Sequence, residues 1–363
     1  QGGAAKPLGA AAALAYPLRF PAIRPHAPRP IQIRSFDWNL HVTSSFPSPS
    51  CQQGPIFIVG APRSGTTMLQ YRLRNHPHIS LPTGESHFFI PLYRNLESFG
   101  DLRQVDNTRR VLQAMYEQSR DFLETDLHGV KFDVDRLARE LHAEGRYTMP
   151  AIISGLFEKN ARGEGKSRWG DKTPYYVMHL PKLLEWFPDA QIVHLIRDGR
   201  DVALSLFGRQ HDFSVYNTYF AAEYWESYVE KGRALGSQLP PRHYMELRYE
   251  DLLSHPEDSM QRICTFLGEP YSAELFAVTA VDDPGKTPLV HEPLKADNAG
   301  KWRSKMTPAQ IRAFESVAGR TLREFGYDLV TPGTPPALAV KAAYRLHNKV
   351  LTRFWKHTRR ALA

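Results

Sequence analysis

The chain has only two cysteines, Cys51 and Cys264. A disulfide-stapled scaffold needs more, and neither cysteine has a second ligand at metal-binding spacing. At most one bridge is allowed, so cysteine usage says little about the compartment. Long apolar runs are also missing, and nothing approaches the ~18 consecutive apolar residues of a membrane span. The fifteen histidines are scattered, and His76-Pro77-His78 shows no partner set, so no metal site is expected. Acidic residues are absent from residues 337–363, where Lys341, Arg345, Lys349, Arg353, Lys356, Arg359 and Arg360 contribute +7 of the overall +8. The rest of the chain is therefore close to neutral, and no nucleic-acid partner is expected.

Composition divides the 363 residues into three parts. Residues 1–50 hold eight prolines and a single acid, Asp37, the pattern of an extended arm rather than a folded unit. Residues 51–330 alternate strand-like and helix-like segments and are read as one main domain. Residues 331–363 begin with Pro332, Pro335 and Pro336 and continue as a basic helix, with Val340, Tyr344, Leu351 and Trp355 on one face. That helix has two readings: a contact with a membrane surface or an acidic partner, or a solvated helix docked on its own body or on a dimer mate.

Within the main domain, Pro55-Ile56-Phe57-Ile58-Val59 is a short apolar run of the kind buried in a parallel sheet. It leads into Gly60-Ala-Pro-Arg-Ser-Gly65-Thr66-Thr67 and then a helix that stops near Pro77. Strand, glycine-containing turn and helix make a phosphate-binding loop. One residue departs from the Walker pattern: Thr66 stands where the lysine that reaches the β- and γ-phosphates belongs. Such a loop still wraps one phosphate in backbone N–H groups, yet is poorly equipped for ATP or GTP. A second apolar strand is read at Gln191–Ile196 and a third around His243–Leu247. Helices follow from about Pro256 to Leu267 and from a capping box at Thr307-Pro308-Ala309-Gln310 to near Gly326. This alternation predicts an α/β fold, a P-loop NTPase-like central parallel sheet flanked by helices, with ligands at the carboxyl ends of the strands.

Several of these segments fit one family. Pro62-Arg63-Ser64-Gly65-Thr66-Thr67 resembles the 5′-phosphosulfate loop of sulfotransferases that use 3′-phosphoadenosine 5′-phosphosulfate (PAPS). Ile196-Arg197-Asp198-Gly199-Arg200-Asp201-Val202-Ala203-Leu204-Ser205 resembles their 3′-phosphate motif. Trp169–Pro174, Arg248–Leu252 and Gly300-Lys301-Trp302 are similar to segments of the Golgi and bacterial branches, and the likeness runs from about Pro55 to Asp328. The resemblance implies PAPS as co-substrate, no metal and a hydroxyl-bearing acceptor. Ser64, Gly65, Thr66 and Thr67 would donate to the 5′-phosphosulfate, with Arg63 as the cation inside the loop. Arg197 and Ser205 would grip the 3′-phosphate, and Arg209 matches a further cation of the protein-tyrosine branch. Tyr249 would contact the nucleotide, and Lys301 and Trp302 would close over it. Glu85 lies where the related tyrosine and heparan enzymes carry a catalytic glutamate, once one residue is inserted relative to the tyrosine branch. It is the expected base, with His87 as the alternative and Lys172 as a second cation on the leaving side.

Two other readings of the residues stand beside this one. A P-loop kinase or NTPase is opposed by Thr66 and by a second strand that ends in Arg197 rather than a Mg²⁺-binding aspartate. A non-catalytic binder of an anionic polymer or membrane rests on the C-terminal segment. The acceptor stays open among carbohydrate, small metabolite or lipid, and tyrosine. Phe88, Phe89, Tyr93, Tyr216, Tyr219, Phe220, Tyr224 and Trp225 are candidates either to line its site or to fill the core. A homodimer is allowed. The expected location is the cytoplasm with membrane association, or the Golgi lumen if the source is eukaryotic.

Overall fold

The computed structural model describes residues 54–118, 132–277 and 294–362, all within one unit, Gln53–Ala363. The proline-rich arm and residues 119–131 and 278–293 lie outside the described residues. Among the described residues, five parallel strands form one sheet: β1 (Ile56–Gly60), β2 (Ile79–Ser80), β3 (Arg168–Lys172), β4 (Gln191–Ile196) and β5 (Tyr244–Arg248), in the order β2-β3-β1-β4-β5. The α/β expectation is met, with the sheet flanked by helices.

Alternation along β1 explains its uniform apolarity. Ile56 and Ile58 face one apolar cluster with Val193, Leu195, Leu69 and Met260, while Phe57 and Val59 face another with Ile192, Trp225 and Phe157. A strand covered on both faces needs apolar residues at every position. β1 is flanked by β3 on one side and β4 on the other, so the direction of winding reverses at its carboxyl end. Ligands of open α/β sheets bind at such a point. The register pairs Ile58 with Lys172 and Gly60 with Leu195, which brings the ends of β3 and β4 beside the loop that follows β1.

β2 and β3 are strands that periodicity does not reveal. β3 reads Arg-Trp-Gly-Asp-Lys, yet it is buried throughout. Its two cations have partners supplied by tertiary structure. Arg168 donates to the carbonyls of Gly54 (2.9 Å) and Leu267 (2.7 Å) and pairs with Glu269 at 3.3 Å. Charged groups are buried only where such partners exist. The helix Pro256–Leu267 ends on Gly268 in the left-handed conformation, and the capping box at Thr307 and Gln310 opens the helix Pro308–Glu324.

The Arg-Asp-Gly-Arg-Asp segment supplies much of the framework around the site. Asp198 caps the helix Gly199–Phe207 and pairs with Arg200 at 2.8 Å. Arg200 is buried; it also pairs with buried Glu315 at 2.6 Å and donates to the Asp328 carbonyl at 2.8 Å. Gly199 permits a close helix crossing, because a Cβ there would lie 2.5 Å from Trp225 and 2.6 Å from Phe314. The ion-pair network makes a clear prediction. Arg200→Leu strands the Asp198 and Glu315 carboxylates in the interior and costs about 3–5 kcal/mol. A thermal melt should show a midpoint lower by on the order of 10 °C, and an unchanged midpoint would refute the buried-network account.

The last helix, Leu338–Leu362, docks on the body. Asn348 is buried, accepts from the Tyr216 N–H (2.8 Å) and donates to the Ser214 carbonyl (2.9 Å). Arg345 pairs with Glu223 at 2.5 Å, and Tyr344 stacks on Tyr219 with ring centroids 5.1 Å apart.

Candidate active site

The loop after β1 turns sharply. Gly65 adopts φ 92° at the start of the helix Thr66–Arg74, whose first turn carries no acidic residue. The N-terminal N–H groups of that helix are thus presented without a competing carboxylate. A Cβ at Gly65 would lie 2.5 Å from the Tyr249 ring, so glycine is required both by conformation and by the close approach of that ring. Arg63 holds φ 73°, an uncommon backbone for a non-glycine residue. The result is that its guanidinium Nε donates to Ser205 Oγ at 3.0 Å across the loop. Ser64 is wholly buried, and its hydroxyl has no hydrogen-bond partner among the described residues.

Arg197 leaves the end of β4 toward the same place. Its Nη2 donates to the Asn298 carbonyl (2.8 Å) and Nη1 to the Arg63 carbonyl (3.4 Å), and its guanidinium lies over the Tyr249 ring at 4.5 Å. Its nearest carboxylate is Asp201 at 3.8 Å, not Asp198. Asp201 in turn accepts from the N–H groups of Gly300 (2.7 Å) and Trp302 (2.8 Å) and so ties the late loop to the site. The Arg63 guanidinium is held below its ordinary pKa by burial and by the charges of Arg209 and Arg197, with Glu85 and Asp212 opposing. Crowded cations of this kind create a field that favours a bound anion.

Glu85 lies at the other side of this cluster. Buried Lys172 at the end of β3 donates to its Oε1 at 2.6 Å, and His87 Nε2 lies 3.0 Å from its Oε2. Burial alone would raise the Glu85 pKa, but the Lys172 charge and the hydrogen bonds from His87 and Lys172 more than offset it and hold the carboxyl well below the usual range. The segment is fixed from beneath. The Ser86 N–H donates to Thr173 Oγ1 (3.0 Å), Ser86 Oγ bonds the Tyr176 hydroxyl (2.8 Å), and that hydroxyl accepts from the Phe89 N–H (3.1 Å). His87 holds φ 50°, a second strained non-glycine residue in the site. Neighbouring Asp171 is pushed up to about 6 by burial, against the pull of Thr173, Ser86 and Lys172.

The structure thus brings Arg63, Ser64, Gly65, Thr66, Thr67, Arg197, Ser205, Tyr249, Glu85 and Lys172 to the carboxyl edge of the sheet. Three predicted residues stand differently. Arg209 acts on Arg63 electrostatically, but its own guanidinium pairs with Asp212 at 2.6 Å. Lys301 donates to Asn298 Oδ1 at 2.7 Å. Trp302 is core: its ring is 1% exposed under the Arg200 guanidinium at 3.6 Å, so it anchors the loop through its backbone N–H rather than offering an open indole face. Among the acceptor candidates, Phe88, Phe89 and Trp225 are core residues. Tyr224 stands with Tyr228, which the sequence reading missed. The hydroxyl pKa of each is raised by burial, with a contribution from the Glu85 carboxylate. Their four-residue spacing on one helix face was the available signal.

The histidine expectation needs correction. Glu269 joins His76 and His78 in a group whose ligand atoms lie within 4.8 Å of one another. It sits at the start of β3, the edge opposite the loop, since the Arg168 N–H donates to the His78 carbonyl at 2.9 Å. His76 bonds the Pro270 carbonyl through Nε2 (2.8 Å) and accepts from the His78 N–H at Nδ1 (3.1 Å), so both of its ring nitrogens are engaged.

Comparison with known proteins agrees with this geometry. The chain is 25% identical over 289 residues to a protein-tyrosine sulfotransferase of Drosophila melanogaster, covering 75% of this chain and 51% of that protein, so it spans about half of that relative's length. It is 26% identical over 312 residues to protein-tyrosine sulfotransferase A of Caenorhabditis elegans, covering 80% of this chain and 73% of that one. The fold is similar to that of a solved sulfotransferase domain from the curacin biosynthetic pathway, with a TM-score of 0.50 at 20% identity over 76% of this chain and 98% of that one. The profile of the sulfotransferase family matches residues 55–273, more than half of the chain, and the chain belongs to that family.

Proposed function

We propose that this protein transfers a sulfuryl group from PAPS to an acceptor hydroxyl by in-line displacement at sulfur. The observation that carries this reading is the convergence of Arg63, Ser205 and Arg197 on a lysine-free loop: Arg63 bonds Ser205 at 3.0 Å and Arg197 reaches the Arg63 carbonyl at 3.4 Å. Two separate anion sites are what a nucleotide with a 5′-phosphosulfate and a 3′-phosphate requires. The helix N-terminus with Ser64, Thr66 and Thr67 suits the first, and Arg197 with Ser205 suits the second.

When bound, PAPS supplies the sulfuryl group and leaves as 3′,5′-adenosine bisphosphate. Arg63 stabilises the negative charge that grows on the leaving oxygen, and Lys172 adds a second positive centre. Glu85, kept ionised by Lys172 and His87, accepts the proton of the acceptor hydroxyl. The names of the relatives make a peptidyl tyrosine the first acceptor to try, ahead of sugar hydroxyls.

Calorimetry with 3′,5′-adenosine bisphosphate and, separately, ATP with and without Mg²⁺ tests the reading. The expected result is a bisphosphate Kd on the order of 1 μM, about −8 kcal/mol, and ATP binding at least roughly tenfold weaker. Mg²⁺-dependent ATP binding tighter than the bisphosphate would overturn it in favour of phosphoryl transfer.

A further inference from the structure

The last helix has two faces, and the body covers only one. Tyr344, Asn348, Leu351 and Trp355 turn inward. Leu346 (61%), Val350 (54%) and Phe354 (57%) stand exposed on the opposite side, in line at four-residue spacing. Lys349, Arg353 and Lys356 run along the flank of this stripe, and all three are exposed. Three adjacent large apolar side chains left in water on an otherwise docked helix mark a contact surface.

Charge selects the occupant. The helix carries no acid anywhere along its length, so a second copy of the same face would bring two rows of cations together. A flat anionic lipid surface satisfies both halves of the helix, taking the apolar stripe below the headgroups and pairing the cations with lipid phosphates and carboxylates. Among the described residues no helix is long and apolar enough to cross a membrane, so the contact is one of lying on the surface.

We infer that the outward face of Leu338–Leu362 docks this protein on anionic lipid membranes, with Leu346, Val350 and Phe354 inserted and Lys349, Arg353 and Lys356 on the headgroups. The inference does not depend on the chemistry assigned to the site. The helix lies between the membrane and the segment Ser214–Glu223 on which it packs. Trp355, on the inward face, contacts His211 with ring centroids 4.3 Å apart, two residues from Arg209.

Co-sedimentation of the full chain with vesicles tests it, using phosphatidylcholine alone and phosphatidylcholine with about one-third phosphatidylserine. Three exposed cations contributing roughly fivefold each predict about 100-fold stronger partition to the anionic vesicles. The triple substitution Leu346→Ser, Val350→Ser, Phe354→Ser should abolish sedimentation, and Lys349→Glu with Arg353→Glu should remove the preference for anionic lipid. All variants should bind 3′,5′-adenosine bisphosphate as the wild type does; should the wild type bind none, an unchanged melting midpoint serves as the folding control. Equal partition to both vesicle types, no sedimentation with either, or a concentration-dependent dimer that the triple substitution dissociates would each overturn the inference.

Discussion

Arg197→Ala weakens binding of 3′,5′-adenosine bisphosphate by roughly 100-fold, the size expected when a hydrogen-bonded, largely buried charge is removed from its partner. The surroundings of Arg197 suit the anion-ligand role proposed for it. Its guanidinium is stacked on Tyr249, two of its donors brace backbone carbonyls, and its Nε is buried with no hydrogen-bond partner among the described residues. Arg197→Lys keeps the charge and loses both the planar fork and the stacking, so it recovers only part of the affinity, about tenfold below wild type. Calorimetry on the three proteins checks the series. Equal affinity across it would remove Arg197 from the nucleotide site and leave it as a brace between the Arg63 loop and Asn298.

The site was legible where one short segment carries its whole meaning. The Gly60–Thr67 loop, with an apolar strand before it and a helix after, declares its conformation. The same holds for β4 followed by Arg197, and for the capping box at Thr307. What stayed hidden depends on partners far away in sequence. β3 does not read as a strand because Arg168, Asp171 and Lys172 are polar, and only the fold shows the carboxylates that make burial of Arg168 and Lys172 tolerable. Lys172 and Glu85 were each singled out, but their ion pair joins residues 87 positions apart and no spacing rule reaches it. Trp302 illustrates the reverse case: the resemblance placed it over the nucleotide, and the structure shows its ring buried under Arg200 and its N–H held by Asp201. Of the Arg-Asp-Gly-Arg-Asp run, Arg197 turns toward the Arg63 loop, and the remaining charges hold the helix and the late loop in place.

Lys172→Met is expected to lower kcat by about 100- to 1,000-fold, the range for losing a positioned charge in a catalytic site, and to change the pH profile in a way that identifies the base. In the wild type the Glu85 carboxyl is held well below its ordinary range. Its interactions therefore favour the folded state above the unfolded carboxylate pKa of about 4.3, and that stabilisation fades only as pH falls toward the depressed folded value. Without Lys172 the largest offset to burial is gone and only the His87 contributions remain, so the folded pKa rises. The acid limb of kcat/KM then moves upward. The stability drawn from the ionised carboxyl is smaller in the variant, so its melting midpoint falls less than the wild type's as pH drops below the unfolded carboxylate pKa of about 4.3. Because the Glu85 side chain is one-third exposed, the shift in melting midpoint is smaller than full burial would give. A pH–rate profile and a pH series of thermal melts read the two effects separately. If the acid limb stays in place in Lys172→Met but moves in His87→Gln, the proton acceptor is His87, and Glu85 serves to orient its ring through the 3.0 Å contact.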